Sequence, residues 1–266
     1  MPIAQNWLLL LSYEGTYYHG WQVQPDCPTI ANTIEQALKR LTGENIRIHG
    51  SGRTDSGVHA LNYTANFKTS SKKFSSPEKW RIALNALLPQ DIVVKCVQKI
   101  PLDFHARHSA IRKRYCYLIS NLPYRQVFSI KQSWWINETL DIFEMDKAGQ
   151  ILIGEHDFSA FRASNCSSPN PTKNINEILI RENSLRYSTI QIEVEANSFL
   201  QHMVRIICGT LVEVGQGRKT LDDIVKALRS GNRNLAGVTA PAHGLYSMKV
   251  IYPNGIIEWP KDLIDE

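Results

Sequence analysis

The sequence predicts an α+β protein built from two sheet-plus-helix units. Short apolar runs recur in both halves with period-2 alternation, the mark of half-buried antiparallel strands. Several of them are followed by residues at helical spacing, bounded by recognisable caps. Its 266 residues, 43% apolar and 21% charged, suit a folded chain rather than a disordered one. That length makes one large domain or two modest ones at roughly 100–200 residues each. It buries about 70–75% of the unfolded surface without a disulfide or metal staple. No apolar run approaches the ~20 residues of a membrane helix.

The elements follow in order. Residues 7–13 form an apolar run that reads as a buried strand, and 15–28 are a loop holding Tyr17, Tyr18, His19 and Trp21. Ile30, Ile34, Ala37, Leu38 and Leu41 then share a helical face, with Thr29 as cap and Gly43 after the last turn. A short strand over 46–49 runs into Gly50-Ser51-Gly52-Arg53-Thr54-Asp55-Ser56-Gly57, and 58–67 read as extended. Pro77 stands at the first position of a second helix that buries Trp80, Ala83, Leu84 and Leu87, and Pro89 ends it. A strand over 92–97 follows. Over 111–119, Ile111, Tyr115, Tyr117 and Ile119 face one way and Arg112, Arg114 and Cys116 the other; Lys113 interrupts the apolar row.

The second half predicts a helix over 140–153 and an exposed loop over 166–176, rich in Ser, Pro and Asn. Strands are expected over 178–181 and 190–196, and a helix over 199–214 with Phe199, Met203, Ile206, Ile207, Thr210, Leu211 and Val214 inward. A short helix over 221–228 and a closing strand over 245–251 complete the chain. The division is expected between Lys99 and Ser109, giving halves 1–104 and 105–266, with no Gly/Ser linker to mark it. There is no short repeat and no low-complexity tract.

Thirty Lys and Arg against 25 Asp and Glu leave a net charge of +5, compatible with a polyanionic partner without specifying one. The opening residues, Met1-Pro2-Ile3-Ala4-Gln5-Asn6, lack the basic and apolar segments of a secretory leader, and a cytoplasmic location is expected. Five scattered cysteines with no C-x-x-C then read as reduced thiols. Zinc-ribbon spacing, H-E-x-x-H and metal-spaced acid clusters are all missing from the sequence, and no metal is expected.

The most unusual stretch is 50–60. Glycines on both sides of Asp55 let the backbone turn sharply and let a ligand approach closely. Arg53, two residues before the acid, invites an ion pair that favours the ionised carboxylate. Short Gly/Asp/Ser clusters are ordinarily plain turns. A dinucleotide fingerprint fails because Asp55 stands where the third glycine belongs. A P-loop fails at Gly217-Arg218-Lys219-Thr220, which has Arg between Gly and Lys and no upstream glycine. Asp55-Ser56-Gly57 matches the aspartic-protease triplet, but only one copy is present where that chemistry needs two carboxylates.

On the strand over 111–119, basic and aromatic residues interleave at Arg112-Lys113-Arg114-Tyr115-Cys116-Tyr117. Cations there suit phosphates, and a tyrosine face stacks on an unpaired base for ~1–3 kcal/mol; an edge strand guarded by charges has the same look. In Gln201-His202-Met203-Val204-Arg205, Arg205 leaves the apolar stripe and shares a face with His202 and Gly209. It is either a solvated surface charge or an arginine aimed at a carboxylate or phosphate.

Together these blocks resemble the TruA family of tRNA pseudouridine synthases. The likeness runs through Tyr13-Glu14-Gly15, Tyr18-x-Gly20-Trp21-Gln22, Gly52-Arg53-Thr54-Asp55-Ser56-Gly57-Val58-His59-Ala60 and Asn85-Ala86-Leu87-Leu88-Pro89. It continues through Phe104-His105-Ala106-Arg107, Arg114-Tyr115-Cys116-Tyr117 and Asp157-Phe158-Ser159-Ala160-Phe161-Arg162. It ends with Phe199-Leu200-Gln201-His202-Met203-Val204-Arg205 and Gly244-Leu245-Tyr246. Ser56 stands where many members carry alanine.

The resemblance implies the pseudouridine synthase fold, two similar halves with mainly antiparallel sheets around a basic cleft. It implies isomerisation of uridine at tRNA positions 38, 39 and 40 by a homodimer, without cofactor or metal. Asp55 is then the catalytic acid, Arg205 its partner, and Tyr115 the residue that stacks on the target base. Arg53 is placed to fill the space left by the flipped base or to hold its phosphate, and Arg107, Arg112, Lys113 and Arg162 are expected, from their charge alone, to meet the RNA backbone. His59 and Leu245 join the substrate contacts. Two other classes remain in view: a non-catalytic RNA-binding module, and an aspartic hydrolase built on Asp55-Ser56-Gly57.

Overall fold

The computed structural model describes residues 4–182 and 190–260, so Met1, Pro2 and Ile3, read above for a leader, lie outside the described residues. The chain divides into two compact units, one of residues 1–111 with 247–266 and one of residues 112–246.

In the first unit, β1 (Gln5–Tyr13) lies between β3 (His59–Thr69) and β4 (Ile92–Ile100), antiparallel to both. A short β2 (Ile48–Gly50) pairs with β3, Ile48 opposite Phe67. The register puts Leu9 opposite Ala65 and Leu11 opposite Tyr63. β1 reads as a continuous apolar run because both of its faces are covered. Trp7, Leu9, Leu11 and Tyr13 enter one core with Ile30, Ile34 and Leu38 of α1 (Ile30–Thr42) and Trp80 and Leu84 of α2 (Pro77–Asn85). Leu8 enters a second core with Ile100, Phe104, Ala106 and Tyr252.

Both helices start and stop as their caps dictate. Thr29 accepts from the Asn32 N–H at the start of α1, and Gly43 ends it at φ 80°, a left-handed angle that glycine adopts without strain. Ser76 caps α2 with Pro77 at its first turn.

The second core carries a chain of buried amides and hydroxyls. Asn6 Nδ2 donates to the Pro101 and Phe104 carbonyls at 2.9 and 3.0 Å. Asn66 Nδ2 donates to Asn6 Oδ1 at 3.0 Å, and Asn66 Oδ1 accepts from the Ala106 N–H at 2.8 Å. Tyr252 OH donates to the Ala106 carbonyl at 2.7 Å. The turn around residues 101–109 is thereby fastened to the sheet at both its amides and its carbonyls.

In the second unit the strand order is β5 (Arg112–Asn121), β9 (Ile190–Ala196), β8 (Thr172–Glu182), β7 (Gly154–Asp157), all antiparallel neighbours. A three-residue β6 (Trp134–Ile136) runs parallel to β5. Three helices accompany it: α3 (Ile142–Ile151), α4 (Met203–Gly215) and α5 (Leu221–Ser230). Nearly every residue of α4 is buried, as expected of a helix apolar all round. α5 begins with a reciprocal Thr220–Asp223 capping box and ends at left-handed Gly231. β10 (Leu245–Ile251) begins in this unit and, from Ser247 on, belongs to the first.

Three sequence expectations need correction. β8 starts at Thr172, inside the loop expected over 166–176, because the segment pairs with β7, a strand with no sequence signal of its own. α4 starts at Met203 rather than 199, because His202 sits at φ 62° and cannot belong to a right-handed helix. Phe199 therefore lies outside the helix. The helix expected over 140–153 is shorter, starting after the Asp141 cap.

The aromatic centre of the first core sets a test. Trp80 is fully buried, with ring centroids 4.7 Å from Phe74, 5.2 Å from Phe67 and 6.1 Å from Trp7. Trp80→Ala is expected to cost about 3–5 kcal/mol in urea unfolding. A loss below ~1 kcal/mol would show that this core is not packed around the indole.

Candidate active site

Asp55 sits on the link between β2 and β3, and the loop following β1 is nested against it. Gly15 has no room for a side chain: a Cβ there would overlap the Val58 carbonyl. Gly20, at φ 80°, leaves none either, since a Cβ would overlap the Thr54 carbonyl and stand 3.0 Å from the Asp55 carbonyl carbon. Glycine at both places lets two backbones touch.

Hydrogen bonds then tie the segments together. The Trp21 N–H donates to the Thr54 carbonyl at 3.1 Å, and the Tyr18 carbonyl accepts from Ser56 Oγ at 3.1 Å and the Gly57 N–H at 3.4 Å. Thr54 Oγ1 and Tyr13 OH are 3.0 Å apart. Tyr63 OH donates to the Gly52 carbonyl and accepts from the Gly52 N–H at 3.3 Å. The Val58 N–H returns to the Asp55 carbonyl at 3.2 Å, and Gly57 takes the left-handed angle the turn needs, φ 78°. Asp55 is half-buried, and Arg53 is exposed.

Beneath the loop, His59 Nδ1 accepts from the Gly15 N–H at 3.1 Å. It is 2% exposed and sits under the loop, fixing Gly15. Tyr18, a residue to which the sequence assigned no role, donates to Asp91 Oδ1 at 2.7 Å. Burial, then the Asp91 carboxylate, raises its phenol well above the ordinary tyrosine value, so it stays a neutral donor. The aromatic density of residues 15–28 was visible in the sequence; its use as a cradle for the acid loop was not.

Of the other site candidates, Arg107 belongs to the first unit and Arg112, Lys113, Tyr115, Arg162, Arg205 and Leu245 to the second. Tyr115 projects from β5, half-buried, with its ring edge-on to Phe199 at 5.1 Å and 89°. Arg205 is in the first turn of α4. Its Nε donates to the Ala240 carbonyl at 2.8 Å, and the Ala240 N–H donates back to the Arg205 carbonyl at 3.1 Å. The segment around Ala240 lies close along that helix face, because a Cβ on Gly209 would overlap the Val238 carbonyl. Arg205 thus shares its face with Gly209, but not with His202, which precedes the helix. His243 is nearby: burial first, and the Arg205 charge in addition, hold its imidazole below the ordinary histidine value.

The basic strand divides its charge. Arg114 is held by Glu177 at 2.7 Å, Glu195 at 2.8 Å and Glu193 at 3.0 Å, and Arg112 by Glu195 at 3.2 Å. Glu193 and Glu195 are buried on β9, directly opposite Cys116 and Arg114 in register. Arg112 therefore has an acid as its near neighbour where a phosphate contact was expected. Lys113 and Arg162 are half-buried, Arg107 is exposed, and Leu245 is buried at 6% exposure. Among the described residues no group of three His, Cys, Asp or Glu is arranged to hold a metal ion, and no helix is long and apolar enough to cross a membrane.

The close nesting predicts a difference between two glycines with the same angle. Gly20 and Gly43 both stand at φ 80°, but nothing lies within 4 Å of a Cβ on Gly43. Gly43→Ala is expected to cost about 1 kcal/mol from backbone strain alone, and Gly20→Ala roughly 1–3 kcal/mol more in thermal unfolding. Equal costs would mean the two backbones are not in contact.

The chain matches the family described as tRNA pseudouridine synthase over residues 10–109 and 148–253. A protein named tRNA pseudouridine synthase A from Thermoanaerobacter sp. strain X514 is 45% identical over 248 residues, 93% of this chain and 100% of that one. The protein of that name from Blochmanniella pennsylvanica is 42% identical over 263 residues, 98% of each chain. A solved archaeal box H/ACA Nop10–Cbf5 complex aligns with 90% of this chain and 60% of that chain at 12% identity and a TM-score of 0.33, too low a likeness to carry weight. With the matched stretches taking in the Asp55 loop and α4, and relatives 42–45% identical along nearly the whole chain, this chain belongs to the tRNA pseudouridine synthases.

Proposed function

We propose that this protein isomerises uridine to pseudouridine at positions 38, 39 and 40 of the tRNA anticodon stem-loop, with Asp55 as the essential carboxylate. The observation that carries the reading is the Asp55 loop, locked between two glycines and two aromatic hydroxyls inside the stretch that matches the family. A fixed carboxylate is what a glycosidic rearrangement needs, since a misplacement of ~1 Å costs about 10²-fold in rate.

The reaction breaks the N1–C1′ bond, turns the uracil and joins C5 to C1′. The bonding pair leaves with the uracil at N1 and returns through C5, which then loses its proton. Atoms and electrons balance within the nucleotide, and no cofactor or metal is called for. Asp55 either attacks C1′, forming a glycosyl ester, or removes a ribose proton on the way to a glycal; an ionised carboxylate serves both routes. Arg205 pairs with that charge, and Tyr115 stacks on the uracil and takes part in removing the C5 proton.

Unstacking the base costs a few kcal/mol. Arg53, exposed two residues from the acid, fills the vacated space or holds the flipped nucleotide's phosphate. Arg107, Lys113 and Arg162 meet the backbone in a basic cleft, with Arg112 sharing its charge with Glu195. His59 and Leu245, both buried in the free chain, complete the substrate contacts. The enzyme works as a cytoplasmic homodimer whose tRNA touches both subunits.

Release of tritium from C5-labelled uridine in a tRNA transcript tests the reading. The unsubstituted chain is expected to release it, and Asp55→Asn and Asp55→Ala to be slower by at least about 10³-fold. Turnover retained in both variants would overturn the assignment of the acid. An unsubstituted chain that binds the transcript but releases nothing would leave an RNA-binding module instead.

A further inference from the structure

Beside the Asp55 loop, within the first unit, lies a groove of about 360 Å³ whose lining includes Arg47, His49, Arg53, His105, Arg107 and His108. Trp21 and Gly52 form part of the same wall, which brings the groove up to the loop itself. Glu35 is the acid among these lining residues, and it is engaged by the Ile48 N–H at 3.1 Å and by Arg47 at 4.0 Å. The other charged residues of the lining are the arginines Arg47, Arg53 and Arg107.

The three histidines form one stack. Ring centroids of His49 and His105 are 5.0 Å apart, and those of His105 and His108 are 4.4 Å apart. His105, Arg107 and His108 belong to the turn fastened by Asn6, Asn66 and Tyr252, so the cations are presented on a rigid base. The Arg107 N–H and Ser109 Oγ add local bonds to His105, at 3.1 and 3.2 Å.

We propose that this groove is a subsite for the RNA backbone, in which the phosphates flanking the target uridine are held by Arg47, Arg53 and Arg107 and by the His49–His105–His108 stack. The inference rests on the pseudouridine synthase reading and extends it to four residues, Arg47, His49, His105 and His108, that stand outside the residues assigned to the reaction.

The sign of the pH effect follows. Burial first, then His108, His49 and Arg107, hold the His105 imidazolium below the ordinary histidine value in the free protein. A bound phosphate reverses the balance and raises it, so binding takes up protons. Affinity for RNA is then strongest at low pH and falls as pH rises through the histidine range.

Equilibrium binding of a tRNA transcript to the full chain carrying Asp55→Asn, which holds RNA without turnover, is the test. Between pH 8.0 and pH 6.0 at fixed salt the affinity is expected to rise by at least about fivefold, and the His49→Gln, His105→Gln, His108→Gln combination to flatten that rise. Arg107→Gln, an exposed single change, is expected to reduce the slope of log affinity against log salt by about 0.7. If the triple variant melts early, Arg47→Gln and Arg107→Gln decide the matter through the salt slope. An undiminished pH response in a folded triple variant, or an unchanged salt slope in the arginine variants, overturns the subsite. Failure of the underlying reading looks different: the unsubstituted chain would then form no pseudouridine at all.

Discussion

The contact on which the rest depends is backbone against backbone, where Gly15 and Gly20 press into the Thr54–Val58 segment. A side chain on either glycine would drive the two loops apart, and with them the carboxylate between. Everything nearby reinforces that contact: Tyr13 on Thr54, Tyr63 on Gly52, the Tyr18 carbonyl on Ser56 and Gly57, and His59 under Gly15. The loop carries three glycines and would otherwise be free to move. It is converted into a fixed seat by neighbours that are aromatic and buried, so their hydroxyl bonds form away from competing water.

Charge is handled in two ways. On β5 the arginines meet buried glutamates from the neighbouring strand, so Arg112 and Arg114 belong to the fold's own ion network. On the first unit, Arg47, Arg53 and Arg107 stand exposed around a groove with one engaged acid. A net charge of +5 over 266 residues understates this arrangement, since the neutralised cations and the exposed ones count alike in the total. Local placement, rather than the sum, decides where a polyanion is drawn.

Much of the fold was legible because its signals are local. Thr29, Gly43, Ser76 and Pro77 mark helix ends by their own backbone chemistry, and the apolar run after Asn6 marks a strand covered on both faces. What escaped depends on pairing. β7 has no periodicity of its own and exists through β8; the left-handed turn at His202 follows from the packing ahead of α4. The return of the chain to the first unit after Tyr246 has no composition shift to announce it. At the site, the acid and its glycines stood out in the sequence. That Glu193 and Glu195 would lie opposite the basic strand did not, because strand register is a tertiary fact. The bond from the Gly15 N–H to His59 escaped for the same reason, since the two residues lie 44 apart in the chain.

If the seat of the carboxylate matters as well as its charge, lengthening the acid by one methylene should itself be damaging. The direct measurement is single-turnover pseudouridine formation on a tRNA transcript by the Asp55→Glu chain. The account predicts a loss of at least about 10²-fold with RNA binding intact. Near-full activity from the longer acid would contradict it, because a carboxylate that works from either distance is not being held in place by the fold.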